Sequence, residues 1–314
     1  MNPNKKRLRR TMMFLNAQKP SLMKDAYVYK PDSVIFDLED AVAENQKDTA
    51  RFSLYHTLKE VNYRGVERVV RINGLNTSYW KEDIRVSVAG GCDCIRLPKC
   101  EYASEIKAVE EEIGKAEKEF NRPIGSTLLM AAVESPRGIF NAVELCEATD
   151  RLMGIAIGAG DYMRTMGTRR YDDGQEMAFA RGMVLNAAKL AGIQCFDTAY
   201  TELDKMDVFE TEVKLIKQLG FDGKSIISPK QIEIVHRIFT PTEQEIRQAE
   251  KVVKAIKENA ETGVGVFMVD GKMIDIAFLE GAERTIALAK AAGVYRGVGI
   301  NNPYVQKRNA KGEL

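Results

Sequence analysis

Two acids, Glu134 and Asp161, sit directly beyond short apolar runs, LLMAAV before the first and GIAIGAG before the second. If those runs are neighbouring strands of one sheet, both carboxylates project toward a common point. Two converging carboxylates suit a hard cation such as Mg²⁺, which takes oxygen ligands and leaves positions open for water or substrate oxygens. The chain has two histidines, His56 and His236, both in helix-length segments, so a histidine-rich zinc or iron site is not expected.

Other charged residues recur at the same kind of position. Arg71 closes the run VVR, and a guanidinium buried there is costly unless paired. Two partners stay open for it: the acids Asp37, Glu39 and Asp40 of FDLED, or a substrate carboxylate gripped by both arms of the fork. Lys99, after Leu97 and Pro98, could be the Schiff-base lysine of a metal-free aldolase. Nearby carboxylates keep a lysine protonated rather than nucleophilic, so it is read as a cation that contacts substrate or joins an ionic network. Each acid alone, Asp197 included, could instead cap the helix after its strand. Glu134 and Asp161 escape that reading best, because they come from adjacent runs. Gly154, Gly158 and Gly160 form an incomplete dinucleotide pattern, with Met163 at the third glycine's place and no helix clearly opening there. Backbone room beside an anion or metal is the more economical reading.

The elements that must position these residues alternate. Short apolar runs fall at 11–15, 33–38, 67–72, 93–97, 127–133, 152–157, 193–196 and 225–227. Helix-length segments at 45–61, 79–89, 103–120, 138–147, 175–191 and 210–219 separate them, several ended by glycine at Gly90, Gly192 and Gly220. Eight buried-looking runs with helical crossovers predict an α/β fold, a closed (β/α)8 TIM barrel over residues 1–240, whose chemistry sits where the strands end. Cys92 and Cys94 open a strand at the opposite face and are read as core.

Residues 241–314 form a C-terminal helix–hairpin–helix extension. Thr242 and Glu245 fit a capping box, Ile246, Ala249, Val253 and Ile256 make one stripe, Asp270-Gly271 turns a hairpin, and a last helix spans 277–292. A closed barrel has no slot for this excursion. It is expected over the barrel mouth or against a neighbouring subunit.

At 314 residues, with 46 Lys plus Arg against 45 Asp plus Glu, the net charge of +1 gives no reason to expect nucleic acid or an acidic membrane as partner. Small molecules fit better. Five cysteines without a spaced framework suit a reducing cytoplasm. No run approaches a membrane span, and the start lacks a signal-peptide pattern. The basic cluster Lys5, Lys6, Arg7, Arg9, Arg10 reads as a solvated arm.

These residues resemble the citrate lyase beta subunit family, within the superfamily that also holds malyl-thioester lyases and pyruvate aldolases. FDLEDAV (36–42), VVRING (69–74), RLPK (96–99), AAVESPRGI (131–139), IGAGDY (157–162), SIISPKQ (225–231) and GKMID (271–275) carry the likeness across nearly the whole chain. The resemblance implies Mg²⁺-dependent cleavage of a citryl thioester, on coenzyme A or a carrier protein, to oxaloacetate and an acetyl thioester. It implies that Glu134 and Asp161 bind Mg²⁺, that Arg71 and Glu134 contact substrate, with Lys99 read beside them as a further substrate cation, and that Asp275 is an acid supplied by a neighbouring subunit. Asp37, Glu39 and Asp40 would position metal waters and pair Arg71. Implied partners are a citrate lyase alpha subunit, an acyl carrier protein with a coenzyme A-like group, and further copies of the chain, plausibly as a trimer. Related pyruvate aldolases place a histidine near the early strands, and none falls at a strand end here. Malyl- or citramalyl-thioester cleavage, a free-acid aldolase and a non-catalytic carrier-docking scaffold are the alternatives.

Overall fold

Strands covered on both faces need apolar side chains at every position, and the runs rich in Val, Ile, Leu, Met and Ala supply them. In the computed structural model, which describes residues 7–260 and 266–297, eight parallel strands close into a barrel in sequence order. They are β1 (Thr11–Asn16), β2 (Ser33–Asp37), β3 (Glu67–Arg71), β4 (Cys94–Leu97), β5 (Leu128–Val133), β6 (Leu152–Ile157), β7 (Gln194–Asp197) and β8 (Gly223–Ile226). Closure pairs Thr11, Met12 and Met13 with Lys224, Ser225 and Ile226. Gly223 permits that seam, since a Cβ there would lie 1.9 Å from the Arg9 carbonyl oxygen. The TIM barrel expected from the sequence is the fold of this chain.

Helices follow each strand: α1 (Pro20–Met23), α2 (Lys47–Glu60), α3 (Trp80–Gly90), α4 (Ala103–Glu119), the pair α5 (Pro136–Phe140) and α6 (Ala142–Cys146), then α7 (Ala159–Met166) and α8 (Ala178–Leu190), α9 (Met206–Leu219) and α10 (Lys230–Phe239). Their inward stripes, among them Leu54, Ile84, Ile106, Val184, Phe209 and Val235, are fully buried against the outside of the barrel. Each such side chain contributes about 1.5–3 kcal/mol relative to exposure. The segment 138–147 breaks into two short helices at Asn141, α1, α7 and α10 form where no helix was anticipated, and β8 starts two residues early.

Inside the barrel the side chains are graded from floor to mouth. At the floor Arg9 is fully buried and grips Glu67 through Nε (2.7 Å) and Nη2 (2.6 Å). The basic N-terminal cluster is therefore not a solvated arm where it is described: Arg10 pairs with Asp32 at 2.8 Å and Arg7 donates to the Gly65 carbonyl at 2.7 Å. Their partners lie far along the chain and meet them only once the barrel closes; Lys5 and Lys6 fall outside the described residues. Above the floor comes a dry layer containing Met12, Ile35, Val69, Cys94, Leu128, Met153 and Phe196. All five cysteines are buried free thiols, and burial pushes Cys92 up to about 12, as a core role requires. Above the dry layer the interior turns ionic.

Past Phe239 the chain forms a second compact unit. Its helix α11 (Glu243–Ala260) opens on a capping box in which the Thr242 amide donates to Glu245 at 2.7 Å and the Glu245 amide donates to the Thr242 hydroxyl at 3.2 Å. Strands β9 (Val266–Val269) and β10 (Lys272–Asp275) pair antiparallel across Asp270 and Gly271, both left-handed at φ 48° and 77°. With α12 (Phe278–Ala291) they bury Ala249, Val252, Ile256, Val269, Ile274 and Ala282. Among the described residues no helix is long and apolar enough to cross a membrane.

Candidate active site at the barrel mouth

Strand register places Asp37, Arg71, Arg96 and Met130 side by side on β2, β3, β4 and β5. Arg71 takes the acidic partner of the two that the sequence left open. Its Nε and Nη2 donate to the two Asp37 oxygens at 2.7 and 2.6 Å, and Nη1 stands 2.9 Å from Glu39 Oε2. That last contact is an ion pair without hydrogen-bond geometry, because Oε2 accepts from no donor. The Nη1 hydrogens are thus not spent on Glu39. Burial alone would lower the Arg71 pKa, but the Asp37 and Glu39 charges outweigh it and drive it above the ordinary value. Two backbone amides, of Glu39 and Ala41, fix Asp37 in turn, and the Lys47 ammonium braces the same loop through the carbonyls of Leu38 and Glu39 at 2.8 Å.

Glu134 follows β5 and is 6 % exposed. It does not cap α5; Ser135 does, its hydroxyl accepting from the Gly138 amide at 3.2 Å. No cation pairs directly with Glu134 among the described residues. The Lys99 amide donates to its Oε1 at 3.4 Å. Burial first and the Glu39 charge second push its carboxyl up to about 6, against the opposing pull of Arg71 and Arg96. A buried carboxylate so placed gains from a cation.

Asp161 lies in the first turn of α7, where a carboxylate meets the positive end of the helix dipole. Here the sequence reading needs correction: a helix does open at Ala159, directly after Gly158, and takes Gly160 into its first turn. The backbone of GAGDY is held in helical form partly from outside, by the Thr198 hydroxyl at the end of β7, which accepts from the Ala159 amide at 3.0 Å. The Asp161 carboxylate meets Arg164 at 2.7 Å and Lys99 at 3.5 Å. Lys99 is the hub of the mouth. Its ammonium also reaches Glu39 at 2.6 Å and Asp40 at 3.2 Å, and its backbone takes the left-handed φ of 52°. Burial lowers its pKa less than Glu39 and Asp40 raise it, so it stays protonated, which excludes it as a Schiff-base nucleophile.

The remaining residues sort plainly. Asp197 is turned outward from the barrel into a buried cluster with Arg181 (2.9 Å) and Lys224 (2.7 Å) and takes no part in the mouth. His236 bonds Thr11 at 3.0 Å, near the N-terminal end of β1, and His56 lies on α2. Asp275 belongs to the second unit, where its carboxylate accepts from the Ala277 amide at 2.8 Å. Of the three glycines, Gly158 gives room to Glu134 while Gly154 gives room to the Phe196 ring. Sequence reading missed Arg96. It was visible only as the first letter of RLPK, and nothing local marks its guanidinium as fully buried and unpaired.

The donors present fit a magnesium ion. Among the described residues no three of His, Cys, Asp and Glu cluster as a closed metal cage. Mg²⁺ needs none, since one or two carboxylates with waters and substrate oxygens suffice. Glu134, buried without a cation, and Asp161, linked to it by Lys99, are such a pair.

A parallel barrel whose mouth gathers carboxylates, guanidinium groups and an ammonium has the frame of an enzyme that handles small anionic substrates. The chain belongs to the HpcH/HpaI aldolase/citrate lyase family, whose model matches residues 10–229. It is 49% identical over 288 residues to the citrate lyase subunit beta of Leuconostoc mesenteroides subsp. cremoris, covering 92% of this chain and 95% of that one. A (3S)-malyl-CoA thioesterase of Cereibacter sphaeroides is 31% identical over 287 residues, covering 91% and 96%. Among solved structures, the protein CitE of Mycobacterium tuberculosis in complex with magnesium, acetoacetate and coenzyme A superposes with a TM-score of 0.72 at 28% identity, covering 90% of this chain and 98% of that one.

Proposed function

We propose that this chain is the beta subunit of a citrate lyase and cleaves a citryl thioester to oxaloacetate and an acetyl thioester. The observation that carries the reading is the buried Glu134 after β5, acted on by the charge of Arg71, with Asp161 in the first turn of α7, Lys99 contacting both acids. Support from similarity comes from the 49% identity to a citrate lyase subunit beta over nearly the whole chain.

The bond to be broken joins the carbinol carbon of the citryl group to the methylene beside the thioester. The hydroxyl loses its proton, its electron pair forms the oxaloacetate carbonyl, and the bond's electrons pass to the thioester enolate, which is then protonated at carbon. Glu134 and Asp161 would hold Mg²⁺, which supplies Lewis-acid polarisation of the hydroxyl and its neighbouring carboxylate. Arg71 orients a substrate carboxylate with the Nη1 hydrogens left over from Asp37, which fixes the plane of the guanidinium. Lys99 offers a second cation to substrate. Glu39 and Asp40 hold Lys99 in place and, with Asp37, position water around the ion. Asp275, delivered from a neighbouring copy by the C-terminal extension, moves the proton.

This subunit would act with an alpha subunit, with an acyl carrier protein bearing a coenzyme A-like group, and with further copies of itself, three being the number favoured. The five free thiols fit the cytoplasm.

The test is release of the 2-oxo acid by purified protein, oxaloacetate from citryl-CoA, glyoxylate from malyl-CoA and pyruvate from citramalyl-CoA, each with and without a magnesium chelator. Metal-dependent turnover of citryl-CoA exceeding the other two supports the reading; preference for malyl-CoA or citramalyl-CoA identifies a malyl- or citramalyl-thioester lyase instead. Turnover of free citrate would identify a free-acid aldolase, and no turnover of any substrate a carrier-docking scaffold.

A further inference from the structure

Arg96 forms no ion pair among the described residues. Its side chain leaves β4 and crosses the barrel interior, where Nη1 donates to Ser225 Oγ on β8 at 3.5 Å and to Met130 Sδ on β5 at 3.8 Å. It is 2 % exposed, its Nε has no hydrogen-bond partner, and no carboxylate among the described residues forms an ion pair with it. Its guanidinium carbon lies 5.2 Å from the centre of the Phe14 ring, and that of Arg71 lies 5.0 Å from the same ring. Two guanidinium groups therefore share one aromatic platform at the floor of the mouth.

An unpaired buried charge destabilises a fold, and a hydrophobic side chain of similar volume is the cheaper occupant. Packing alone gives no reason for arginine at this place. The charges that act on it from further off are Arg71, Glu134, Asp37 and Glu39, all groups of the mouth. Burial, and then Arg71, depress it only to about 10, so it stays cationic at neutral pH.

We propose that Arg96 is a positioning residue: its charge, which no carboxylate pairs, adds fixed positive potential at the floor of the mouth that favours multiply charged 2-oxo acids over singly charged ones. The inference rests on the 2-oxo acid reading of the mouth and adds to it a determinant of substrate charge. Because a fixed charge acts on each charge of the ligand, its removal weakens a dianion by roughly the square of its effect on a monoanion. Simple damage to the site weakens both alike.

The test titrates oxaloacetate and pyruvate calorimetrically into wild-type protein, Arg96→Met and Arg96→Lys, with Mg²⁺ present. Arg96→Met is expected to weaken oxaloacetate about tenfold and pyruvate about threefold, while Arg96→Lys keeps both within about twofold. The melting temperature of Arg96→Met should equal or exceed that of wild type, because the unpaired charge is gone. Equal losses for the two anions in folded Arg96→Met, or no loss in it, overturn the inference and leave the function standing. Should Arg96→Met not fold, a packing role is indicated and the inference falls unless Arg96→Lys folds and keeps the wild-type ratio of the two affinities. Wild-type protein that binds neither anion overturns function and inference together.

Discussion

Gly158 leaves the space that the Glu134 carboxylate occupies: a Cβ at position 158 would lie 2.7 Å from Glu134 Cδ and 2.9 Å from Oε2. Gly158→Ala should therefore push that carboxylate aside while the barrel, which does not use this space, stays folded. The expected loss is about a hundredfold in kcat/KM, with weaker magnesium binding by calorimetry, as a displacement of about 1 Å at a reacting centre produces. Wild-type magnesium affinity in a folded Gly158→Ala protein would mean that Glu134 holds no metal.

Neutralising Glu134 separates stability from function. Its carboxylate is disfavoured by burial, so Glu134→Gln removes a penalised charge and should hold or raise the melting temperature. Turnover should fall roughly a thousandfold or more, the scale of several kcal/mol of lost transition-state stabilisation. A melting temperature that drops sharply would show the carboxylate to be a structural element.

Asp197 is the opposite case. Burial alone would raise its pKa, but Lys224 and Arg181 hold it well below the ordinary carboxylate range. A depressed folded pKa contributes stability that is complete above the unfolded value and is lost as pH falls toward the folded one. Asp197→Asn should thus cost about 3–5 kcal/mol at pH 7 by urea unfolding. That gap should hold down to about pH 4 and then shrink by about 1.4 kcal/mol per pH unit. A gap that narrows already between pH 7 and 5 would contradict the assignment.

Much of this site was legible because a barrel puts chemistry at strand ends, and strand ends show in a sequence as polar residues after apolar runs. The positions of Glu134, Asp161, Arg71 and Lys99 at or just beyond strand ends were read that way, as was the pairing of Arg71 with Asp37 and Glu39 as one of two options. Illegible features depend on partners distant in sequence. Arg9 read as solvated because Glu67 lies 58 residues away. Helix α7 was hidden because its first turn is glycine-rich and is held partly by Thr198 from another strand. Arg96 was overlooked because the absence of an ion pair among the described residues belongs to the folded interior, not to the sequence.

Asp275 ends β10 in the second unit, and its proposed delivery to a neighbouring copy has its own signature. Asp275→Asn should bind magnesium normally yet turn over poorly, as a protein lacking only its proton-transfer group does. Mixed with Glu134→Gln under conditions that exchange subunits, two nearly inactive proteins should regain part of the wild-type turnover, because some sites then combine an intact Glu134 with an intact Asp275. Mixtures that stay as inactive as their components would place any role of Asp275 within its own chain.

The central proposition is that Glu134 and Asp161 share one divalent ion within reach of Arg71. A crystal structure grown with Mg²⁺ and oxaloacetate tests it most directly. The expected result is one ion about 2.1 Å from an oxygen of each carboxylate, with oxaloacetate completing the shell and one of its carboxylates on Arg71 Nη1. An ion bound elsewhere, or the two carboxylates pointing into separate spaces with oxaloacetate away from both, would contradict it.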